Sequence, residues 1–129
     1  MTRKLSLRIL SERFAIARLE PGAAIPDWVG GAITCVARTP SELSILCAED
    51  RLPAAVRANR SWRCLEVVGP LDFGEVGILS SLCKSLADAG ISVFVFSTFD
   101  TDYLLVRAER LAEAAACLRQ AGHALENTP

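Results

Sequence analysis

The chain has 129 residues, of which 51% are hydrophobic and 22% are charged, and its formal net charge is −1. This composition is typical of one globular unit, or of two very small fused units, and supplies enough apolar residues for a core. The Lys and Arg residues are scattered, the longest apolar runs are shorter than a membrane span, and the first ten residues are too few for a signal peptide. We therefore expect no nucleic-acid partner, no membrane partner and a cytoplasmic location.

Four short strands and one short helix are predicted in the first half of the chain. Alternating apolar residues, or runs that include β-branched ones, predict strands at 5–10, 14–19, 32–37 and 43–47. The turn-rich stretch that follows Leu19 and the pair Gly30-Gly31 leave space for only one helical turn between them. Residues 50–58 predict a short helix with Pro53 in its first turn, where a proline is tolerated.

The second half is organised around a predicted β-hairpin at 90–106, GISVFVFSTFDTDYLLV. Two runs rich in β-branched and aromatic residues enclose the polar island 97–102, whose Ser, Thr and Asp side chains favour a turn. The other predicted elements are a strand at 62–68, an amphipathic helix at 78–87 that ends at Gly90, an Ala- and Leu-rich helix at 107–120 and a last strand at 123–125. This is the βαββαβ order of a ferredoxin-like fold, an antiparallel sheet with two helices on one face.

The chain also contains an internal repeat. A shift of 59 residues aligns the two halves without a gap over a strand, a turn, a second strand and the start of a helix. Matching residues include Gly31 and Gly90, Val36 and Val95, Thr39 and Thr98, and Leu46 and Leu105. We infer a duplicated unit, with an N-terminal module at 1–61 whose first helix is stunted and a complete C-terminal module at 62–129.

Cysteine and histidine usage gives no support for a metal site or for catalysis. The five cysteines lie singly within apolar runs, without a CxxC pair, which is typical of buried free thiols. A zinc site or a Ser-His-Asp arrangement would have to use His123, the single histidine, and its segment favours an ordinary surface or core residue. We expect no metal, no cofactor and no enzymatic activity.

The residues STFDTDYLLV, which follow GISVFVF, resemble the hairpin of ACT domains, in particular the tandem ACT domains of small bacterial ACT proteins and of CASTOR-like arginine sensors. The resemblance implies an α+β fold of two tandem ferredoxin-like ACT modules, of which the first is degenerate. It also implies a regulatory protein that binds a small molecule, in this family usually an amino acid, at an interface between modules or subunits. A homodimer and a regulated partner protein are the expected assemblies.

The resemblance further implies a ligand site in three parts. These are Glu75, Val76, Gly77 and Ile78 where the loop enters the helix, Thr98, Phe99 and Asp102 in the hairpin turn, and Ser92 and Val93 on the preceding strand, which would offer backbone groups from a partner subunit. Physical chemistry supports two parts, because a helix N-terminus favours an α-carboxylate and Asp102 can accept from an α-ammonium. Simpler roles stay open: Asp102 as a turn cap, Glu75 as a first-turn acid and Ser92 as a sheet-face residue.

Two other functions remain as alternatives. In the first, the ACT-like sheets only dimerise around an empty pocket, and the edge strands and exposed Trp28 and Trp62 carry the interaction. In the second, the protein is a small enzyme on a ferredoxin-like scaffold, which needs a nucleophile and a base that the sequence supplies only as His123 and ordinary carboxylates.

Overall fold

The computed structural model describes residues 3–127, which form seven strands and two α-helices. The strands are β1 (Ser6–Leu19), β2 (Cys35–Arg38), β3 (Leu43–Ala48), β4 (Ala58–Val67), β5 (Phe94–Ser97), β6 (Asp102–Arg107) and β7 (Ala124–Asn127); the helices are α1 (Ile78–Asp88) and α2 (Leu111–Gln120). Single 3-10 turns follow β3 and β6, at Glu49–Arg51 and Ala108–Arg110. None of the helices within this described part has the length and apolar character needed to cross a membrane.

Two predictions for the first half, a pair of strands and a helix, are corrected by the structure. The strands predicted at 5–10 and 14–19 are one strand, because Ser11 and Arg13 occupy exposed positions where polar side chains do not interrupt the pairing. The helix predicted at 50–58 is only the 3-10 turn, and Leu52 after it is extended, with φ −84° and ψ 124°. Leu52 precedes Pro53, and the proline ring disfavours the helical conformation at the preceding residue.

The chain divides into two compact units that share β1 and β4. The larger unit consists of the N-terminal residues through Ser11 together with the residues from Arg63 onward, and the smaller unit is Glu12–Trp62. The start of the chain therefore belongs with its second half. As limits of duplicated modules, 1–61 and 62–129 remain a prediction.

In the larger unit the strand order is β7-β1-β4-β6-β5. The predicted sheet was antiparallel throughout and had four strands. Instead, the start of β1 lies between β4 and β7, and it pairs with β7 in parallel, with Ser6 opposite Ala124. The strand pairing that supports the pocket is as predicted, since β5 and β6 form an antiparallel hairpin with Ser97 opposite Asp102.

One apolar core holds the larger unit together. Leu65 and Leu104 from the sheet and Leu82 and Leu118 from α1 and α2 are completely buried in it. Full burial of a leucine side chain contributes about 1.5–3 kcal/mol. Both helices therefore pack into one core with the sheet, and this packing holds α1 in place.

The smaller unit repeats the hairpin geometry of the larger one. Strands β2 and β3 and the 3-10 turn after them begin and end 59 residues before β5, β6 and theirs. The two turns also share a hydrogen bond, because the amide of Thr39 donates to Glu42 O and that of Thr98 to Thr101 O, both at 2.9 Å. In place of helices, an irregular segment that includes Val29 covers the core of the smaller unit.

The sequence predicts two exposed tryptophans, but the structure buries one and half-buries the other. Trp62 is only 5% exposed, and its Nε1 donates to Asn59 Oδ1 at 3.2 Å. Trp28 is half-buried and packs against the core of the smaller unit. Both tryptophans therefore contribute to the fold.

Candidate functional site

A pocket of about 300 Å³ lies in the larger unit. Three segments line it: the loop 71–77, the first turn of α1, and the turn 97–102 between β5 and β6. The two hairpin strands and the buried face of α1 hold these segments in place. The pocket is thus formed by irregular backbone supported on a rigid core.

The helix that enters the pocket begins without a side-chain cap. Gly77 precedes it with φ 84° and ψ 1°, a left-handed conformation that favours glycine, and no acidic residue lies in the first turn. A Cβ atom at Gly77 would meet only Ser80 Oγ, at 4.0 Å, so the backbone conformation rather than a lack of space requires glycine. The first-turn amides of α1 therefore present partial positive charge beside the pocket.

The hairpin turn supplies the opposite wall and carries Asp102. Ser97 Oγ donates to Asp102 Oδ1 at 2.5 Å. A carboxylate has about four acceptor positions, so this single bond leaves Asp102 able to accept hydrogen bonds from a ligand. The turn itself is closed by the amide bond from Thr98 to Thr101.

Glu75 also lines the pocket, but it already has partners. Its Oε2 accepts from the Arg3 guanidinium and its Oε1 accepts from the Asp72 amide at 3.3 Å. The hydrogen bond from Arg3, assisted by the Asp72 backbone, lowers the pKa of Glu75 below its usual value. A cationic ligand would have to displace Arg3 to reach this carboxylate, so Asp102 is the more accessible acceptor.

Two exposed aromatic rings flank the pocket. Phe73 in the loop and Phe99 in the hairpin turn are 75% and 79% exposed, and their centroids are 5.0 Å apart at an interplanar angle of 84°. This is an edge-to-face pair, a geometry that aromatic rings favour. The pair gives the pocket an apolar wall shared by its two sides.

The predicted site residues divide into two groups. Those that line the pocket are Glu75, Gly77, Ile78, Thr98, Phe99 and Asp102. Val76 is 93% exposed and does not line the pocket, and Ser92 and Val93 precede β5 and are not among the lining residues. The prediction did not include Phe73, whose position in the turn sequence Asp72-Phe73-Gly74 was the available signal.

His123 lies outside the pocket and has a structural partner. It is 5% exposed, and its Nδ1 accepts from the Leu5 amide at 3.1 Å. Burial, with a smaller contribution from the charge of Lys4, lowers the pKa of His123. The neutral imidazole therefore connects the start of the chain to the residues before β7.

This histidine makes stability depend on pH. Because its pKa is lower in the folded protein than the usual 6.5, the contribution is present above that pH and is lost as the pH falls through the folded pKa. We expect the free energy of unfolding to fall by at most about 1.4 kcal/mol per pH unit for this group. His123→Asn keeps an acceptor for the Leu5 amide without titrating. Urea unfolding at neutral and mildly acidic pH should show a larger loss for the wild type, and equal losses would contradict this role.

The cysteines are free thiols. Cys47 and Cys64 are fully buried, and burial raises the pKa of Cys64 to about 12, which makes it unreactive. Over residues 3–127, no three His, Cys, Asp or Glu side chains are grouped so that they could hold a metal ion.

Family models match both halves of the chain. Residues 57–120 match the model of the ACT domain, and residues 12–55 match a second model described as an N-terminal domain. The predicted ACT domain is thus confirmed for the second half, which includes the helix entrance and the hairpin that line the pocket. The coarser part of the predicted fold, an α+β arrangement of the ACT, ferredoxin-like type, is confirmed with it.

Solved structures are similar over most of the chain. The crystal structure of protein Atu0741 from Agobacterium tumefaciens is 43% identical, with a TM-score of 0.93 over 99% of this chain and 96% of that one. A Vibrio cholerae protein described as a possible transport protein is 17% identical, with a TM-score of 0.73 over 91% and 89%. The regulatory subunit of aspartate kinase from Thermus thermophilus is 12% identical, with a TM-score of 0.57 over 86% and 93%. The last two likenesses show the fold alone.

Proposed function

Because this chain belongs to one family with the Agobacterium protein Atu0741 and carries an ACT domain at residues 57–120, we propose that it is a regulatory protein that binds an amino acid. One observation carries the proposal. An uncapped helix N-terminus and the carboxylate of Asp102 lie on different walls of the same pocket. This arrangement offers one positive and one negative binding position to a small zwitterion.

Each end of an α-amino acid has a matching group in the pocket. The α-carboxylate binds at the first-turn amides of α1, where the backbone N–H groups and the helix dipole favour an anion. The α-ammonium donates to Asp102, which forms a charge-assisted hydrogen bond. Phe99 and Phe73 provide apolar contact for the ligand side chain.

The charges of the lining residues select against acidic ligands. The carboxylates of Asp72, Glu75, Asp100 and Asp102 line the pocket, and none of the lining residues is Lys or Arg. A second carboxylate on the ligand would face these acids, and the Arg3 guanidinium beside the pocket is already paired with Glu75. The site therefore takes an amino acid with a neutral or cationic side chain.

We expect a panel of the twenty amino acids to reveal this preference by thermal shift and calorimetry. A ligand at 100 times its Kd stabilises the folded state by about 2.7 kcal/mol, which raises Tm by several degrees for a domain of this size. Neutral or cationic amino acids should give the largest shifts, and aspartate and glutamate none. Tightest binding by an acidic amino acid would contradict the charge argument, and no response to any of the twenty would contradict the function.

The finer family features belong to the same proposal. The 59-residue offset between the two hairpins supports two tandem ACT modules, as in CASTOR-like sensors, with the binding site in the second. Pro40 and Leu43 stand at the positions that correspond to Phe99 and Asp102, so the first module lacks the acceptor. Arg38, which stands at the position of Ser97 in the first module, donates to the carbonyl of Pro21.

We also propose that the protein acts as a homodimer and regulates a partner protein rather than catalysing a reaction. Strand β5 follows Ser92 and Val93 and has β6 as its one neighbouring strand in the described sheet. An edge strand of this kind is a template for pairing with a second chain. Regulation then requires that the amino acid bind one arrangement of the modules better than another.

A second candidate function is an interaction module that binds no amino acid. It is favoured by the high exposure of Phe73, Val76 and Phe99, since clustered exposed apolar side chains mark interaction sites. Size-exclusion chromatography with and without amino acids separates the two functions. A dimer whose assembly and stability respond to no amino acid would favour the second function.

A further inference from the structure

The hairpin turn is hydrogen-bonded to the end of β4 and to the start of the pocket loop. Thr101 is only 7% exposed, and its Oγ1 donates to the carbonyl of Val67 at 2.6 Å. One residue earlier, the carbonyl of Asp100 accepts from the Leu71 amide, also at 2.6 Å. The first bond ties the hairpin turn to the end of β4, and the second ties it to Leu71 in the pocket loop, so together they restrain the separation between the two walls. We call these two bonds the joint.

Close packing at Gly69 supports the same joint. A Cβ atom placed there would lie 3.0 Å from the carbonyl oxygen of Asp100 and 3.1 Å from Cβ of Thr101. A side chain at this position would push the hairpin turn away from the connection. Gly69 thus differs from Gly77, where space is available and only the backbone conformation favours glycine.

We propose that Thr101 is a positioning residue of the amino-acid site, acting through the bond between its hydroxyl and the carbonyl of Val67. The consequence for binding rests on the proposed function. Asp102 is the next residue along the turn, so displacement of the turn displaces the acceptor of the α-ammonium. Charge-assisted hydrogen bonds need short distances and good alignment, and a shift of about 1 Å weakens them strongly.

Three variants separate positioning from general stability. Thr101→Val removes the donor with little change of shape, and Thr101→Ser keeps the hydroxyl. Tyr103→Phe is the matched control, since it removes a hydroxyl that donates to Glu66 Oε2 at 3.2 Å outside the pocket lining. Calorimetric titration with the amino acid that binds the wild type most tightly should show at least tenfold weaker binding only for Thr101→Val. Wild-type affinity in that variant would overturn the inference and leave the proposed function in place.

A second measurement tests the joint without any ligand. Hydrogen exchange of the Leu71 amide should be at least tenfold faster in Thr101→Val than in the wild type, and unchanged in Thr101→Ser and Tyr103→Phe. If the wild type binds no amino acid, the proposed function fails, and the exchange rate of Leu71 still decides whether Thr101 joins the walls. An unchanged rate would overturn the inference. If Thr101→Val fails to fold, Gly69→Ala serves in its place, because a side chain at residue 69 strains the same joint. It should accelerate hydrogen exchange of the Leu71 amide.

Discussion

Replacement of Asp102 by alanine is expected to weaken amino-acid binding by about 10- to 150-fold while the protein stays folded. A hydrogen bond to a charged group contributes about 1.5–3 kcal/mol, and each 1.4 kcal/mol is a factor of ten in affinity. Within the protein, the substitution removes the acceptor of the Ser97 hydroxyl. Ser97 is exposed and can donate to water instead, so the cost to folding is small.

Two controls sharpen this result. Asp102→Asn keeps an acceptor for Ser97 but removes the negative charge, so it should lose nearly as much affinity as the alanine variant. Asp100→Asn removes another lining carboxylate, which is not assigned to the α-ammonium, and should have a much smaller effect. Calorimetry gives the affinities and thermal unfolding by circular dichroism checks the fold. Equal affinity of Asp102→Ala and the wild type would show that the α-ammonium binds elsewhere.

Replacement of Ser80 by aspartate is expected to stabilise the protein and to weaken amino-acid binding. Ser80 lies in the first turn of α1, which contains no acidic residue, and it lines the pocket. A carboxylate at a helix N-terminus contributes about 0.3–1 kcal/mol through the helix dipole and the free amides. The same carboxylate would occupy the amides proposed for the ligand and repel the α-carboxylate, so we expect at least tenfold weaker binding.

This variant is informative because its expected effects on stability and on amino-acid affinity have opposite signs. Ser80→Asn has a similar shape without the charge, so it should change both stability and affinity much less. Thermal unfolding and calorimetry on the three proteins provide the comparison. Tighter amino-acid binding by Ser80→Asp would mean that this end of α1 does not receive the carboxylate.

Local patterns in the sequence predicted the parts of the fold that depend on neighbouring residues. The hairpin at Phe94–Arg107 and the helix after Gly77 follow from β-branched runs and from apolar spacing, and the structure contains both. The insertion of β1 between β4 and β7 could not be predicted in this way, because it depends on pairing between the two ends of the chain. Periodicity identifies a strand and its buried face without identifying its neighbours.

The candidate site shows the same limit. The turn residues around Asp102 and the glycine before α1 were recognisable from the motif, and both line the pocket. The partner of Glu75 was not, since Arg3 is 72 positions away in the sequence. Thr101 has the sequence features of an ordinary polar turn residue, and its positioning role is inferred from contacts that the structure provides, chiefly the bond to the carbonyl of Val67.

The most direct test of the account uses chemically blocked ligands. The amino acid that binds most tightly would be compared by calorimetry with its α-amide, which lacks the carboxylate, and with its N-acetyl derivative, which lacks the ammonium. If the amides of α1 and the carboxylate of Asp102 hold the two ends of a zwitterion, each derivative binds at least tenfold more weakly than the free amino acid. Binding of both derivatives with the affinity of the free amino acid would contradict the account.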